Sequence, residues 1–190
     1  APHVCICGAQ VDARGTHGLS CTRSAVRFSR HQQLNDIIHR ALNRAQIAAV
    51  KEPTGLITGS GLRPDGLTSV PWQRGKCLVW DATVPDTLAP SHLQDSAHVA
   101  GAAATSAATI KHQKYAALES SHIVMPVAVE TLGVWDVGSL QFITELGRRL
   151  SAVTNDPRET VYLFQRLSVA IQRGNALSCL GSLPHMSGAV

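Results

Sequence analysis

The sequence predicts an α/β fold, a central sheet flanked by helices, with a small metal-held module ahead of it. Three observations lead to this. The run Cys77-Leu-Val-Trp80 is wholly apolar and closes on Asp81, as a buried central strand would. Residues 24–46 repeat apolar side chains at helical spacing (Phe28, Leu34, Ile37, Ile38, Ala41, Leu42, Ala45), with arginines on other positions. Residues 1–23 are Gly-rich and polar and too short to build a core, yet they hold Cys5, Cys7, His17 and Cys21.

Taken in order, the first piece needs a staple. Three thiolates and one imidazole within seventeen residues meet the ligand count and type of a tetrahedral Zn²⁺ site, structural because all four positions are protein-filled. The alternative, three exposed thiols in a coreless loop, leaves nothing to hold the segment. The expected division is therefore a zinc knuckle over 1–23 and one larger domain over 24–190. That domain opens on the basic amphipathic helix. Strands are expected at 47–53, along Arg63-Pro-Asp-Gly-Leu-Thr-Ser-Val70, and at 75–84, separated by Gly/Pro turns. Residues 91–121 are alanine-rich and read as one helix despite Gly101. A fourth strand over 122–135 contains Pro126, which marks an edge or a bulge. Two helices complete the chain, one capped by Ser139 and one starting at Asn155-Asp156-Pro157 and ending before Gly174.

At 190 residues with 44% hydrophobic content, the chain can bury one core with a small appendage. No apolar run approaches the roughly 18 residues of a membrane span, so no membrane partner is expected. A first residue Ala is expected of a piece of a larger protein. Cys77 and Cys179 lie in apolar text, where a reduced, buried thiol is the ordinary state, and point to a reducing compartment. The formal charge of +4 is unevenly spread: residues 1–51 carry seven Lys/Arg against two acids, and the remainder ten against eleven. A basic excess confined to the first quarter is the footprint of a polyanion partner, with DNA the leading candidate. On charge alone, a solvated basic helix face explains it equally well. Arg23, Arg27, Arg30, Arg40 and Arg44 are the candidate phosphate contacts, with His31 beside them.

Asp65, framed by Pro64 and Gly66, and Asp81, at the end of the apolar strand, are the candidate chemistry. If the two strands turn back on each other across the fifteen intervening residues, both carboxylates arrive at one sheet end, Asp81 and Thr83 on one face and Trp80 and Ala82 on the other. Paired carboxylates suit a hard cation such as Mg²⁺ or Mn²⁺ that retains water and a phosphate. Lys111 and Lys114, three apart on the following helix and beside Tyr115, would bring an ammonium to orient the attacking water and balance developing charge. Glu52 and Glu130, both at expected strand ends, are candidates for an additional acidic ligand of the Mg²⁺ site, and a structural role explains either as well.

Arg63-Pro64-Asp65-Gly66, then Asp81-Ala82-Thr83 on an apolar strand, then Lys111 and Lys114-Tyr115 on a helix, resembles the PD-(D/E)xK nuclease superfamily. With a Cys-Cys-His-Cys knuckle and Arg30-His31 ahead of it, the series is similar to the restriction-like endonuclease domain at the C-terminus of site-specific non-LTR retrotransposon proteins. The resemblance runs from Cys5 to about Trp135. It implies a restriction-endonuclease-like core with a mixed sheet, a divalent-metal-dependent nick in DNA, a nuclear setting, and the reverse transcriptase part of a larger protein as neighbour. Two positions depart from the pattern. Asp81-Ala82-Thr83 stands where the superfamily has Asp/Glu-x-Lys, which moves the lysine to the helix, and Arg30-His31-Gln32 stands for Arg-His-Asn, with Asn35 one turn on. A nuclease-derived module that binds DNA without cutting it is the alternative.

Overall fold

The computed structural model describes residues 2–21, 23, 26–56 and 61–183, with backbone alone at 26 and 27. The fold is mixed α/β, a four-stranded mixed sheet flanked by helices, with a small module packed against one end. The module contains β1 (His3–Val4) antiparallel to β2 (Gln10–Val11), then α1 (His17–Ser20). The domain follows as α2 (Val26–Arg44), β3 (Ala49–Lys51), β4 (Gly66–Thr68), β5 (Leu78–Thr83), α3 (Leu93–His98), α4 (Ala102–Tyr115), β6 (Ile123–Ala128), α5 (Val137–Thr154) and α6 (Glu159–Leu180). The sheet order is β3-β4-β5-β6, antiparallel except for the parallel pair β5 and β6.

Alternation along β5 divides the core. Leu78, Trp80 and Ala82 join Leu34, Ile38 and Leu42 of α2 and the apolar faces of α5 and α6, all under 4% exposed. Val79 turns to the other face, where Tyr115, Leu118 and Val124 form a second cluster. Ala104 and Ala108 of α4 meet Ala128 of β6, and side chains this small let α4 lie close to the sheet. The next residue on that helix stripe, between Ala108 and Tyr115, is Lys111.

Four local expectations are corrected. The helix expected over 91–121 is two, α3 and α4, because Gly101 takes φ +87° against Val134. The N-cap of α5 is Asp136, whose carboxylate accepts from the Ser139 amide at 3.1 Å. Ser139 instead serves the open edge of β6: its hydroxyl donates to the Pro126 carbonyl (3.0 Å) and accepts the Ala128 amide (2.8 Å). Pro126 is tolerated because β6 is an edge strand. Helix α6 begins at Glu159, later than expected, and runs through Gly174, where a Cβ would come within 2.7 Å of the Arg30 side chain.

Gly66 is also set by packing. It pairs with Trp80 across β4 and β5, and a Cβ there would lie 2.0 Å from the indole. Gly66→Ala is expected to force Trp80 from its slot and to destabilise the domain by about 1–3 kcal/mol, the usual cost of overpacking. Chemical denaturation of the variant beside its parent measures it; equal midpoints would refute the packing role.

Candidate active site and metal centre

The β4–β5 register pairs Gly66 with Trp80 and Leu67 with Val79, so one further step sets Asp65 opposite Asp81. The backbone at Asp65 is held from both sides: its carbonyl accepts the Glu52 amide at 2.8 Å and the Asn35 side-chain amide at 3.4 Å. Asn35 in turn accepts the Trp80 indole N–H at 2.6 Å, so one buried amide ties α2 to both acid-bearing strands. The Asp65 carboxylate accepts the Ala82 amide at 2.6 Å and lies 3.0 Å from His31 Nε2, which also approaches the Ala82 carbonyl at 3.1 Å. Among the described residues both contacts fall on Oδ2, leaving Oδ1 for a further ligand.

Asp81 is 5% exposed. Lys111 Nζ lies 2.5 Å from its Oδ2, carried there by the inward stripe of α4. Burial, and after it the Asp65 charge, push the Asp81 carboxyl above the ordinary carboxylate range, while Lys111 pulls it back. Two facing carboxylates, one buried, repel each other, and Lys111 on Asp81 and His31 on Asp65 offset that charge. The hydrogen bond to Asp65 raises His31 above its ordinary 6.5. A raised histidine favours its charged form, so the stability from this pair is full below the unfolded value and lost as pH rises through the folded one. Tyr115 is buried, its hydroxyl donating to the Arg63 carbonyl at 3.3 Å, and burial pushes it above its ordinary range. Lys114 points outward, its ammonium 4.7 Å from the Tyr115 ring centroid.

Other expected residues sit elsewhere. Glu52, at φ +51°, is ion-paired with Arg63. Glu130 is 1% exposed and accepts the Ala103 and Ala104 amides (3.0 and 3.3 Å), capping the helix that delivers Lys111. Arg30 is 2% exposed and donates to Asn175 Oδ1 (2.7 Å) and the Leu19 carbonyl (3.4 Å), so its guanidinium ties module, α2 and α6 together and is not presented to a phosphate. Arg44 lies 2.6 Å from Glu159. Arg40 and Arg23 are exposed. The Arg27 side chain lies outside the described residues. His31, expected at phosphate, is instead at Asp65, and Asn35, given no role by the sequence reading, holds both acid-bearing strands. Both lie on or beside the apolar stripe of α2, four residues apart, where a polar side chain needs a buried partner.

In the module, the four ligand atoms of Cys5, Cys7, His17 and Cys21 all lie within 4.8 Å of one another. Cys5 and Cys21 sulfurs are 3.6 Å apart, and the Cys7 sulfur is 3.2 Å from His17 Nε2. Tetrahedral Zn²⁺ with bonds of about 2.0–2.3 Å needs ligand atoms roughly 3.5–3.8 Å apart, so the cluster can hold zinc with small adjustment. The turn that aims Cys7 is closed by the Gly8 amide on the Cys5 carbonyl (2.7 Å), with Gly8 at φ +90°. The Ala9 backbone amide lowers the Cys7 thiol to about 7, while burial raises that of Cys5. The module docks on α6, where a Cβ on Gly18 would come within 2.8 Å of Cys179 Cα, and His3 reaches Ser182 at 3.1 Å. No helix among the described residues is long and apolar enough to cross a membrane. No family model and no curated protein matches the chain.

Proposed function

We propose that this chain is a divalent-metal-dependent DNA endonuclease domain of the PD-(D/E)xK class, with Zn²⁺ in its Cys5/Cys7/His17/Cys21 knuckle. The observation that carries the reading is Asp65 set opposite Asp81, one step past the last paired residues of β4 and β5, with the Lys111 ammonium 2.5 Å from Asp81. Asp65 and Asp81 would hold Mg²⁺ or Mn²⁺, which supplies charge neutralisation and a more acidic bound water. The reaction is phosphodiester hydrolysis: the water oxygen bonds to phosphorus, one P–O ester bond breaks, and the leaving oxygen takes up a proton. Lys111 orients the water and balances charge on the phosphate. His31 and the Ala82 amide hold the Asp65 carboxylate in place, and Glu130 positions Lys111 through the start of α4. The retrotransposon-type context, a neighbouring reverse transcriptase and a nuclear location belong to the same proposal.

A second reading, a nuclease-derived module that binds DNA without cutting, is favoured by one feature. Lys111 on Asp81 and His31 on Asp65 give both acids a protein partner. Plasmid nicking separates the two. The first expects conversion of supercoiled to open-circular DNA with Mg²⁺ or Mn²⁺, lost in EDTA and restored by excess Mg²⁺; the second expects DNA retention and no nicking under any of these conditions.

A further inference from the structure

Helices α2 and α6 run antiparallel, Arg30 beside Gly174 and Asn175 at one end and Arg44 beside Glu159 at the other. Between them lies an open groove of about 730 Å³. Its floor includes Ile37 and Ala170, and four arginines line it: Arg40 and Arg44 from α2, Arg166 and Arg173 from α6. All four are exposed. The acid at this groove, Glu159, is buried and shared, 2.6 Å from Arg44 and 3.7 Å from Arg166. Asp36, one turn from Arg40, is engaged by Lys51 at 2.6 Å. Neither Arg40 nor Arg173 makes an ion pair among the described residues. Four arginines against one shared acid leave the groove a net surplus of about three positive charges, and two of them, Arg40 and Arg173, have no acidic partner among the described residues.

Its direction is set by helix geometry. Arg173 lies level with Arg30 and His31, the α2 turn that reaches Asp65. Arg40 and Arg44 lie nine and thirteen residues beyond His31, about 13 and 20 Å along the axis at 1.5 Å per residue. Guanidiniums spread over such a length on an apolar floor match a line of evenly spaced phosphates better than a single compact anion.

We infer that the α2/α6 groove is a second nucleic-acid-binding surface, in which Arg40, Arg44, Arg166 and Arg173 hold a DNA backbone along a track that starts level with the paired acids and leads away from them. The choice of DNA rests on the proposed function, and the arginine track does not. Contacts here are to phosphate and independent of sequence.

The test is fluorescence anisotropy of a short labelled DNA duplex with the zinc-loaded protein, without added divalent metal, across a salt series. Arg40→Gln/Arg173→Gln removes two exposed, unpaired charges. We expect at least a tenfold loss of affinity at low salt and a log K against log salt slope shallower by about two, since each lost phosphate contact contributes about 0.9. Unchanged affinity and slope would overturn the inference, as would lost affinity at an unchanged slope, which reports damage to the fold. A parent that binds with this slope but never nicks keeps the groove and loses the nuclease. Nicking retained beside unaltered binding in the double variant loses the groove alone.

Discussion

Replacing Asp65 or Asp81 by Ala is expected to cut nicking a hundredfold or more, on the order of 3 kcal/mol of transition-state stabilisation. Binding to DNA should stay level or rise, because a carboxylate near phosphate has been removed. The two lysines are expected to separate. Lys111 reaches Asp81, whereas Lys114 lies over the Tyr115 ring, so Lys111→Ala should lose far more rate than affinity and Lys114→Ala should lose little of either. Thr83, half-buried on β5 at the position that the proposed PD-(D/E)xK class fills with lysine, supplies a control: Thr83→Lys should restore part of the rate to Lys111→Ala if the ammonium site is reachable from the strand. Steady-state nicking rates measured beside anisotropy for each variant read both effects.

The second large effect concerns the module. Among the described residues of 1–23 there is one small cluster, Cys5, Val11 and Cys21, and three of the four candidate zinc ligands are among its members and neighbours. Metal binding in such a segment is folding free energy, on the order of 10 kcal/mol for structural zinc at neutral pH. Stripping the metal, or Cys21→Ser, is therefore expected to release one zinc per chain and open residues 1–23 to protease. The larger domain should survive at a lower melting temperature, because Arg30, Gly18 and His3 lose partners at the seam. Metal analysis of the purified protein well below one zinc per chain would refute this.

Much of the architecture is legible locally. The element order follows from period and punctuation: a 3.6-residue stripe in α2, a continuous apolar run in β5, and a proline that restricts β6 to an edge. Asp65 opposite Asp81 follows from the antiparallel register. The cysteine cluster is legible because a coreless segment leaves those four side chains little other use. Where structure and sequence differ, one cause is a partner distant in sequence. Arg30 reads as a surface charge until Asn175 closes on it from 145 residues away. Gly174 reads as a helix stop until the same arginine fills the space a side chain would need. Gly101 and Asp136 show the other kind of miss. Alanine-rich text outweighs one glycine in a propensity reading, although a left-handed φ interrupts the helix outright, and Ser139 reads as a cap although the capping carboxylate stands three residues earlier at Asp136. His31 reads as a phosphate ligand from its basic neighbours, although its ring points into the fold at an acid two strands away.

Mn²⁺ binding tests most directly whether Asp65 and Asp81 together hold a divalent cation. Loss of the free-ion electron paramagnetic resonance signal can be followed in zinc-loaded protein with a short duplex present. The parent is expected to take up Mn²⁺ at a site that Mg²⁺ competes for and that disappears in Asp65→Ala/Asp81→Ala. Equal Mn²⁺ uptake by the parent and this double variant would contradict the claim.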